Sequence, residues 1–287
     1  MFEVLGTGAL TVLCDLGRRG FAALGVSGSG AMDRGAYRLG QRLVGQNYRV
    51  AALEVTLGGL ALRSTGRAWL ALTGADAKAT VDGRAVGHGA PFEIHPGQEL
   101  VLGVPDRGLR TYLSVRGGFD VRPVLRSRST DVLSGLGPEP LRSGQVLRVG
   151  SAYGDWEFAP IWFAPTAFPL GPGPIELAVV PGPRDEWFDG GLAGLLTAAW
   201  VVSAQSNRVG VRLVGPVVER RSGLGELASE PMVRGSVQIP PDGQPVVFGA
   251  DHPVTGGYPV IGVLTPTASD RIAQARPGDE IRFVTRA

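Results

Sequence analysis

The chain has 287 residues, 44% hydrophobic and 19% charged, the balance of a folded globular protein with room for two ordinary domains or one large one. Its 28 basic residues against 26 acidic ones leave a formal charge of +2. Lys78 is the one lysine, and the arginines are scattered rather than clustered, which excludes a basic nucleic-acid face. Cys14 is the single cysteine, so neither an intrachain disulfide nor a thiolate metal cage can form.

High glycine (44) and proline (22) favour many short strands and tight turns over long helices. The first residues carry no basic segment followed by an apolar core, so no secretory signal is read. The longest apolar stretch, Leu192 to Ala204, is too short to cross a bilayer. A soluble, cytoplasmic protein without a membrane partner is expected.

In chain order, residues 3–13 read as a strand, with Cys14 buried at its end. The glycine-rich loop Gly25-Val-Ser-Gly-Ser-Gly-Ala-Met-Asp33 runs into a helix, because Met32, Ala36, Leu39 and Leu43 recur at helical spacing. Asp33 falls in its first turn and Gly45 is placed to end it. Strands follow at Ala52–Leu57, Ala68–Thr73, Ala79–Asp82, Glu99–Leu102 and Arg110–Val115, and Asp82-Gly83 signals a hairpin.

The pattern Pro96-Gly-Gln-Glu-Leu-Val-Leu102 returns faintly at Ser143–Val149 and Pro277–Phe283, which suggests two related β halves. The expected division is 1–157, a Pro/Gly-rich connection at 158–174, and 175–287. In the second half, Ile175–Val180, Trp200–Ser203 and Val209–Val214 read as strands. Asp185–Leu196 reads as a helix with Trp187 and Phe188 inward, and Ala268–Gln274 as a short helix. The fold class is mainly β with a few short helices.

Several chemistries are missing. There is no Gly-x-x-x-x-Gly-Lys-Ser/Thr phosphate loop. His88, His95 and His252 lack ligand spacing, so no metal is expected. No nucleophile elbow of Gly-x-Ser-x-Gly form is present.

Ser229–Pro259 holds the densest chemistry. Pro240-Pro-Asp-Gly-Gln-Pro245 forces a turn, Val246-Val-Phe248 reads as a buried strand, and Thr255-Gly-Gly-Tyr-Pro259 is a second turn. There the backbone N–H groups of Gly256 and Gly257 can approach a ligand. Glu230, Gln238, Asp251 and His252 surround these turns. Asp251 is the better candidate base and Tyr258 can donate to a developing oxyanion. Two arginine clusters suit a carboxylate or phosphate: Ser127-Arg128-Ser-Thr130, and Ser206-Asn207-Arg208 with Arg212 four residues on, pointing away from the core face. Arg208 can equally pair with Glu230 as a bridge between strands. Ser29 and Gly30, ahead of the helix, are a possible oxygen site or simply a cap. Glu54, a lone acid in an apolar strand, can face solvent.

Gln238–Pro245, Ala250-Asp251 and Thr255-Gly-Gly-Tyr-Pro259 resemble the C-terminal signature of the allophanate hydrolase subunit 2 family, also called biotin-dependent carboxyltransferase-like or KipA-like. Ser29-Gly-Ala-Met-Asp33, Leu72-Thr-Gly-Ala75, Arg110–Gly118, Val179–Pro183 and Ser206–Leu213 extend the resemblance over nearly the whole chain. Ser27 stands where relatives carry proline, and Arg126 where they usually carry glycine.

The resemblance implies two cyclophilin-like β-barrel halves. Stand-alone bacterial members are mostly the C component of 5-oxoprolinase. The implied function is therefore ATP-dependent opening of the 5-oxoproline lactam to glutamate. The implied partners are a B component resembling allophanate hydrolase subunit 1 and a LamB/YcsF-like A component. With no phosphate loop here, ATP would be bound through the complex. One alternative is a carboxyltransferase using carboxybiotin and a urea-like acceptor. Another is a non-enzymatic antagonist of a kinase inhibitor.

Overall fold

The computed structural model describes residues 1–151 and 171–285. The expected connection at 158–174 lies largely outside the described residues. The chain forms two compact units. One holds residues 1–18, 29–131 and the described residues between 135 and 168. The other holds 19–28, 132–134 and the described residues from 169 on.

Among the described residues, the first unit holds eleven strands: β1 (Phe2–Thr7), β2 (Leu10–Cys14), β3 (Ala52–Thr56), β4 (Leu60–Ser64), β5 (Ala68–Gly74), β6 (Thr80–Val81), β7 (Arg84–Ala85), β8 (Pro91–Ile94), β9 (Glu99–Val101), β10 (Arg110–Val115) and β11 (Val146–Leu147). They make a six-stranded sheet in the order β11-β1-β4-β9-β6-β7 and a five-stranded one in the order β2-β3-β10-β5-β8. Residues 3–13, expected as one strand, are two strands in different sheets. Gly8, at φ 63, turns the chain between them. The Asp82-Gly83 hairpin forms as expected, with both residues at positive φ (47 and 77).

Phe2, Val4, Leu60 and Leu62 of one sheet meet Leu53, Val55, Leu70, Leu113 and Val115 of the other in a single core. Each such side chain contributes about 1.5–3 kcal/mol by leaving water. The other face of the five-stranded sheet is covered by helix α1 (Arg34–Leu43), through Tyr37 and Leu43. A Cβ at Gly40 would stand 3.1 Å from Thr73 Oγ1, so glycine lets the helix lie close to the strands. Asp33 is the N-cap rather than a first-turn residue, accepting from the Ala36 N–H at 2.8 Å.

Because both faces of that sheet are covered, every residue of β10 is buried and period-2 alternation fails there. Glu54 is accordingly 1% exposed, not solvent-facing. Its carboxylate accepts from Tyr112 Oη at 2.8 Å and the Met32 N–H at 2.8 Å. Burial, and then the Glu54 charge, push the Tyr112 hydroxyl well above the ordinary tyrosine range.

In the second unit, seven strands close a barrel: β12 (Ile175–Pro181), β13 (Trp200–Val202), β14 (Gly210–Val214), β16 (Ser236–Gln238), β17 (Val246–Phe248), β19 (Val260–Leu264) and β20 (Glu280–Val284). Their order is β12-β19-β16-β17-β14-β13-β20, closed by a parallel β12–β20 pair. A small ladder, β15 (Glu230–Pro231) with β18 (Thr255–Gly256), lies outside it. The helix expected over 185–196 is instead a 3-10 turn at Asp185–Trp187 and a short helix α2 (Leu192–Leu196). Gly190 and Gly191, at φ 73 and 54, break it. Helix α3 (Pro266–Ile272) starts earlier than the spacing predicts, because Thr265 caps it and Pro266 opens its first turn.

Candidate functional site

The candidate residues divide between the units. Ser29, Gly30 and Arg128 belong to the first; the rest belong to the second.

In the first unit, the Ser127–Ser129 turn wraps a buried carboxylate. Asp15 accepts from Ser127 Oγ (2.7 Å), Ser129 Oγ (2.7 Å) and the Arg128 N–H (2.6 Å). The Arg128 guanidinium donates to the carbonyls of Val121 (3.1 Å) and Arg49 (2.9 Å). It therefore ties loops together. Ser29 is fully buried, and its hydroxyl donates to the Thr130 carbonyl at 3.0 Å. Gly30 has φ 98 and passes so close to the chain that a Cβ would lie 2.8 Å from the Gly17 nitrogen.

In the second unit, Arg208 pairs with Asp251 rather than Glu230. Nε and Nη2 donate to the two carboxylate oxygens at 2.9 and 3.1 Å, and the side chains are 1% and 0% exposed. The Val132 N–H also donates to Asp251, at 3.0 Å. The backbone reinforces the joint, since the Asp251 N–H donates to the Arg208 carbonyl at 3.1 Å. Ser206 and Asn207 build the preceding turn: Asn207 Oδ1 accepts from the N–H groups of Val209 and Gly210, at 2.8 and 3.2 Å. His252 stacks on Phe248, with ring centroids 6.0 Å apart, and its Nδ1 donates to the Pro253 carbonyl at 2.7 Å.

The turn beyond gathers five candidates. Gly256 pairs with Glu230 across the small ladder. Gln238 is buried and its amide donates to the Tyr258 carbonyl at 2.9 Å. A Cβ at Gly256 would stand 2.8 Å from Gln238 Nε2, which is why glycine fits there. Tyr258 turns its ring outward, 46% exposed, and Gly257 is exposed beside it.

Tyr258 also lines a groove of about 460 Å³ in the same unit, with the Pro240–Pro241 turn, Phe188, Val218, Ile239 and Arg220. That volume falls in the ~300–1,000 Å³ range of small-molecule sites.

Three residues here are not among the candidates the sequence offers. Arg184, in a turn, holds Glu230 through its Nε (3.1 Å) and Nη2. This hydrogen bond raises the Arg184 pKa above its ordinary value. Trp187, expected inward, is half-buried, with the guanidinium carbons of Arg184 and Arg220 at 5.2 and 4.7 Å from its ring centre. These contacts join the Arg184–Trp187 turn to Arg220 and to Glu230 of β15, which no spacing reveals.

Residues 24–285 match the model of the carboxyltransferase domain, subdomains A and B. The chain belongs to this family. It is 36% identical to the C component of 5-oxoprolinase from Escherichia coli, over 99% of this chain and 91% of the relative. It is 32% identical to urea amidolyase of Saccharomyces cerevisiae, over 98% of this chain but 16% of that protein. Among solved structures, the urea amidolyase of K. lactis matches with a TM-score of 0.89 and 32% identity, over 100% of this chain and 19% of that one. TTHA0988 matches with a TM-score of 0.86 and 34% identity, over 99% of this chain and 55% of that one.

Among the described residues, no group of three His, Cys, Asp or Glu side chains is placed to hold a metal, and no helix is long and apolar enough to cross a membrane.

Proposed function

We propose that this chain is the C component of a 5-oxoprolinase complex that opens the lactam of 5-oxoproline to glutamate. The observation that carries the reading is the 36% identity to a protein of that name along nearly the full length of both chains. Likeness to urea amidolyase covers the same residues but only a small part of that protein.

The groove of the second unit fits a binding role. The Arg208–Asp251 pair acts in positioning: it clamps the start of the loop that ends in Gly256, Gly257 and Tyr258. Glu230 and Gln238 fix the other side of that turn. Tyr258 then presents a hydroxyl, and Gly257 a backbone without a side chain, to a small amide. A five-membered lactam resists water because its amide is resonance-stabilised. Its carbonyl oxygen gains negative charge when the carbon is attacked, and a donor fixed beforehand stabilises that charge. Water adds to the carbonyl carbon, the ring C–N bond breaks, and the nitrogen leaves as the amine after taking a proton.

ATP would supply the driving force. The groove residues do not fit a triphosphate: they offer one guanidinium beside a carboxylate and no glycine-rich phosphate cradle. Nucleotide binding is assigned to the partners, a B component resembling allophanate hydrolase subunit 1 and a LamB/YcsF-like A component.

A second reading is carboxyl transfer from carboxybiotin to a urea-like acceptor. The family model and the TM-score of 0.89 to urea amidolyase favour it. The two separate in one experiment: co-purify the chain with both partners, then measure glutamate from 5-oxoproline and carboxylation of urea, with and without ATP. ATP-dependent glutamate formation that needs this chain is expected. Urea carboxylation without glutamate formation would overturn the first reading.

A further inference from the structure

The floor of the groove is apolar, formed by Phe188, Val218, Ile239 and prolines. Three polar side chains of different character line it: Arg220, Glu219 and Tyr258. Arg220 differs from four other arginines of the second unit. Arg184 is paired with Glu230, Arg208 with Asp251, Arg221 with Asp189 and Arg234 with Asp270. Among the described residues Arg220 has no carboxylate partner, yet it is braced. The Trp187 ring lies under its guanidinium at 4.7 Å, and Nη2 donates to the Gly225 carbonyl. A guanidinium held this way keeps N–H donors for a ligand and loses little freedom on binding. Glu219 and the Tyr258 hydroxyl likewise have no hydrogen-bond partner on their side chains among the described residues.

An anion alone would be repelled by Glu219, and a neutral urea would leave the cation unused. A small ring satisfies all three groups if it carries a carboxylate for Arg220, an amide N–H for Glu219 and a carbonyl for Tyr258, with methylenes for the floor. We propose that this groove binds a cyclic amide bearing a carboxylate, and that Arg220 anchors the carboxylate while Trp187 positions Arg220. This deepens the 5-oxoprolinase reading and rests on it for the identity of the ligand.

The test is calorimetric titration of the purified full chain with 5-oxoproline and with 2-pyrrolidone, which lacks only the carboxylate, followed by kinetics in the three-component complex. Removing one charge-assisted contact should weaken binding about 10- to 100-fold. The Arg220→Gln variant and the 2-pyrrolidone ligand should each show such a loss. Arg220→Lys, which keeps the charge without the planar fork, should fall between. Arg221→Gln removes a neighbouring charge outside the groove and should bind as the parent does. In the complex, Arg220→Gln should raise KM for 5-oxoproline more than it lowers kcat. Saturable binding that Arg220→Gln leaves unchanged, equal affinity for 2-pyrrolidone, or no binding by the free chain together with an unchanged KM in the complex would each overturn the proposal. An active complex with an Arg220-independent KM refutes the anchor and leaves the 5-oxoprolinase reading standing. Arg220-dependent binding with no turnover refutes that reading and leaves the groove.

Discussion

Breaking the Arg208–Asp251 pair tests the physical account of the second unit most directly. Both side chains are essentially out of water and doubly hydrogen-bonded to each other. Asp251→Ala leaves a buried guanidinium without its counter-charge, which typically costs about 3–5 kcal/mol. At roughly 2–4 °C per kcal/mol for a unit of this size, the melting transition should fall by about 6–20 °C. The double variant Arg208→Met/Asp251→Leu removes both charges and keeps the volume, so most of the loss should return. It should not return fully, because the Val132 N–H would lose its acceptor, a penalty of about 1–3 kcal/mol. Denaturant midpoints for the parent, the two single variants and the double variant give the coupling energy as a double-mutant cycle. If Asp251→Ala costs under about 1 kcal/mol, or the double variant is no more stable than the singles, the pair is not the clamp described here.

His88 is partly buried, and that burial lowers its pKa below the ordinary value; Asp76 and the Gly74 carbonyl oppose the shift without cancelling it. The neutral ring therefore stabilises the fold fully above the unfolded pKa of about 6.5 and loses that contribution as pH falls toward the folded value. Melts between neutral and acidic pH should show this slope, and His88→Asn should flatten it. Gly30→Ala meets the backbone of Leu16 and Gly17 at 2.8–2.9 Å from a residue at φ +98, so neither side can yield. A loss above about 3 kcal/mol is expected, against about 1 kcal/mol for Gly25→Ala, which has positive φ but open space. Equal losses in a denaturation series would contradict this. Gly256→Ala drives a Cβ onto Gln238 Nε2, the movable end of a side chain, and displaces its bond to the Tyr258 carbonyl. A stability loss of about 1 kcal/mol is expected, with a larger effect on substrate KM in the complex.

The sequence revealed the turns and the hydrophobic strands better than the polar pairings. Asp82-Gly83 was legible because its conformation is a local matter, and the mainly β class followed from glycine, proline and alternation. Glu54 was not legible, since its burial depends on α1 covering a second face of the sheet, which alternation along β3 does not encode. The helix over 185–196 failed for a local reason: Gly190 and Gly191 outweigh the apolar spacing on either side. The motifs around Gln238, Asp251 and Tyr258 located the corner of the second unit correctly as a place where turns converge. They could not say that Arg208 would spend its guanidinium on Asp251, because that depends on residues 43 positions apart meeting.

That difference decides how the arginines should be read. By residue type and motif, Arg208 and Arg128 were the natural anion-binding candidates, whereas Arg220 stood in a plain Glu-Arg-Arg run. Pairing reverses the order. An arginine already satisfied by a buried carboxylate gains little from a second anion and would have to abandon a costly internal bond to take it. One braced against a tryptophan, donating to a backbone carbonyl and facing an apolar groove has no such bond to break. In a chain whose basic residues are almost all arginine, the state of each guanidinium's partners, more than its motif, separates those that hold the fold from those left open to a ligand.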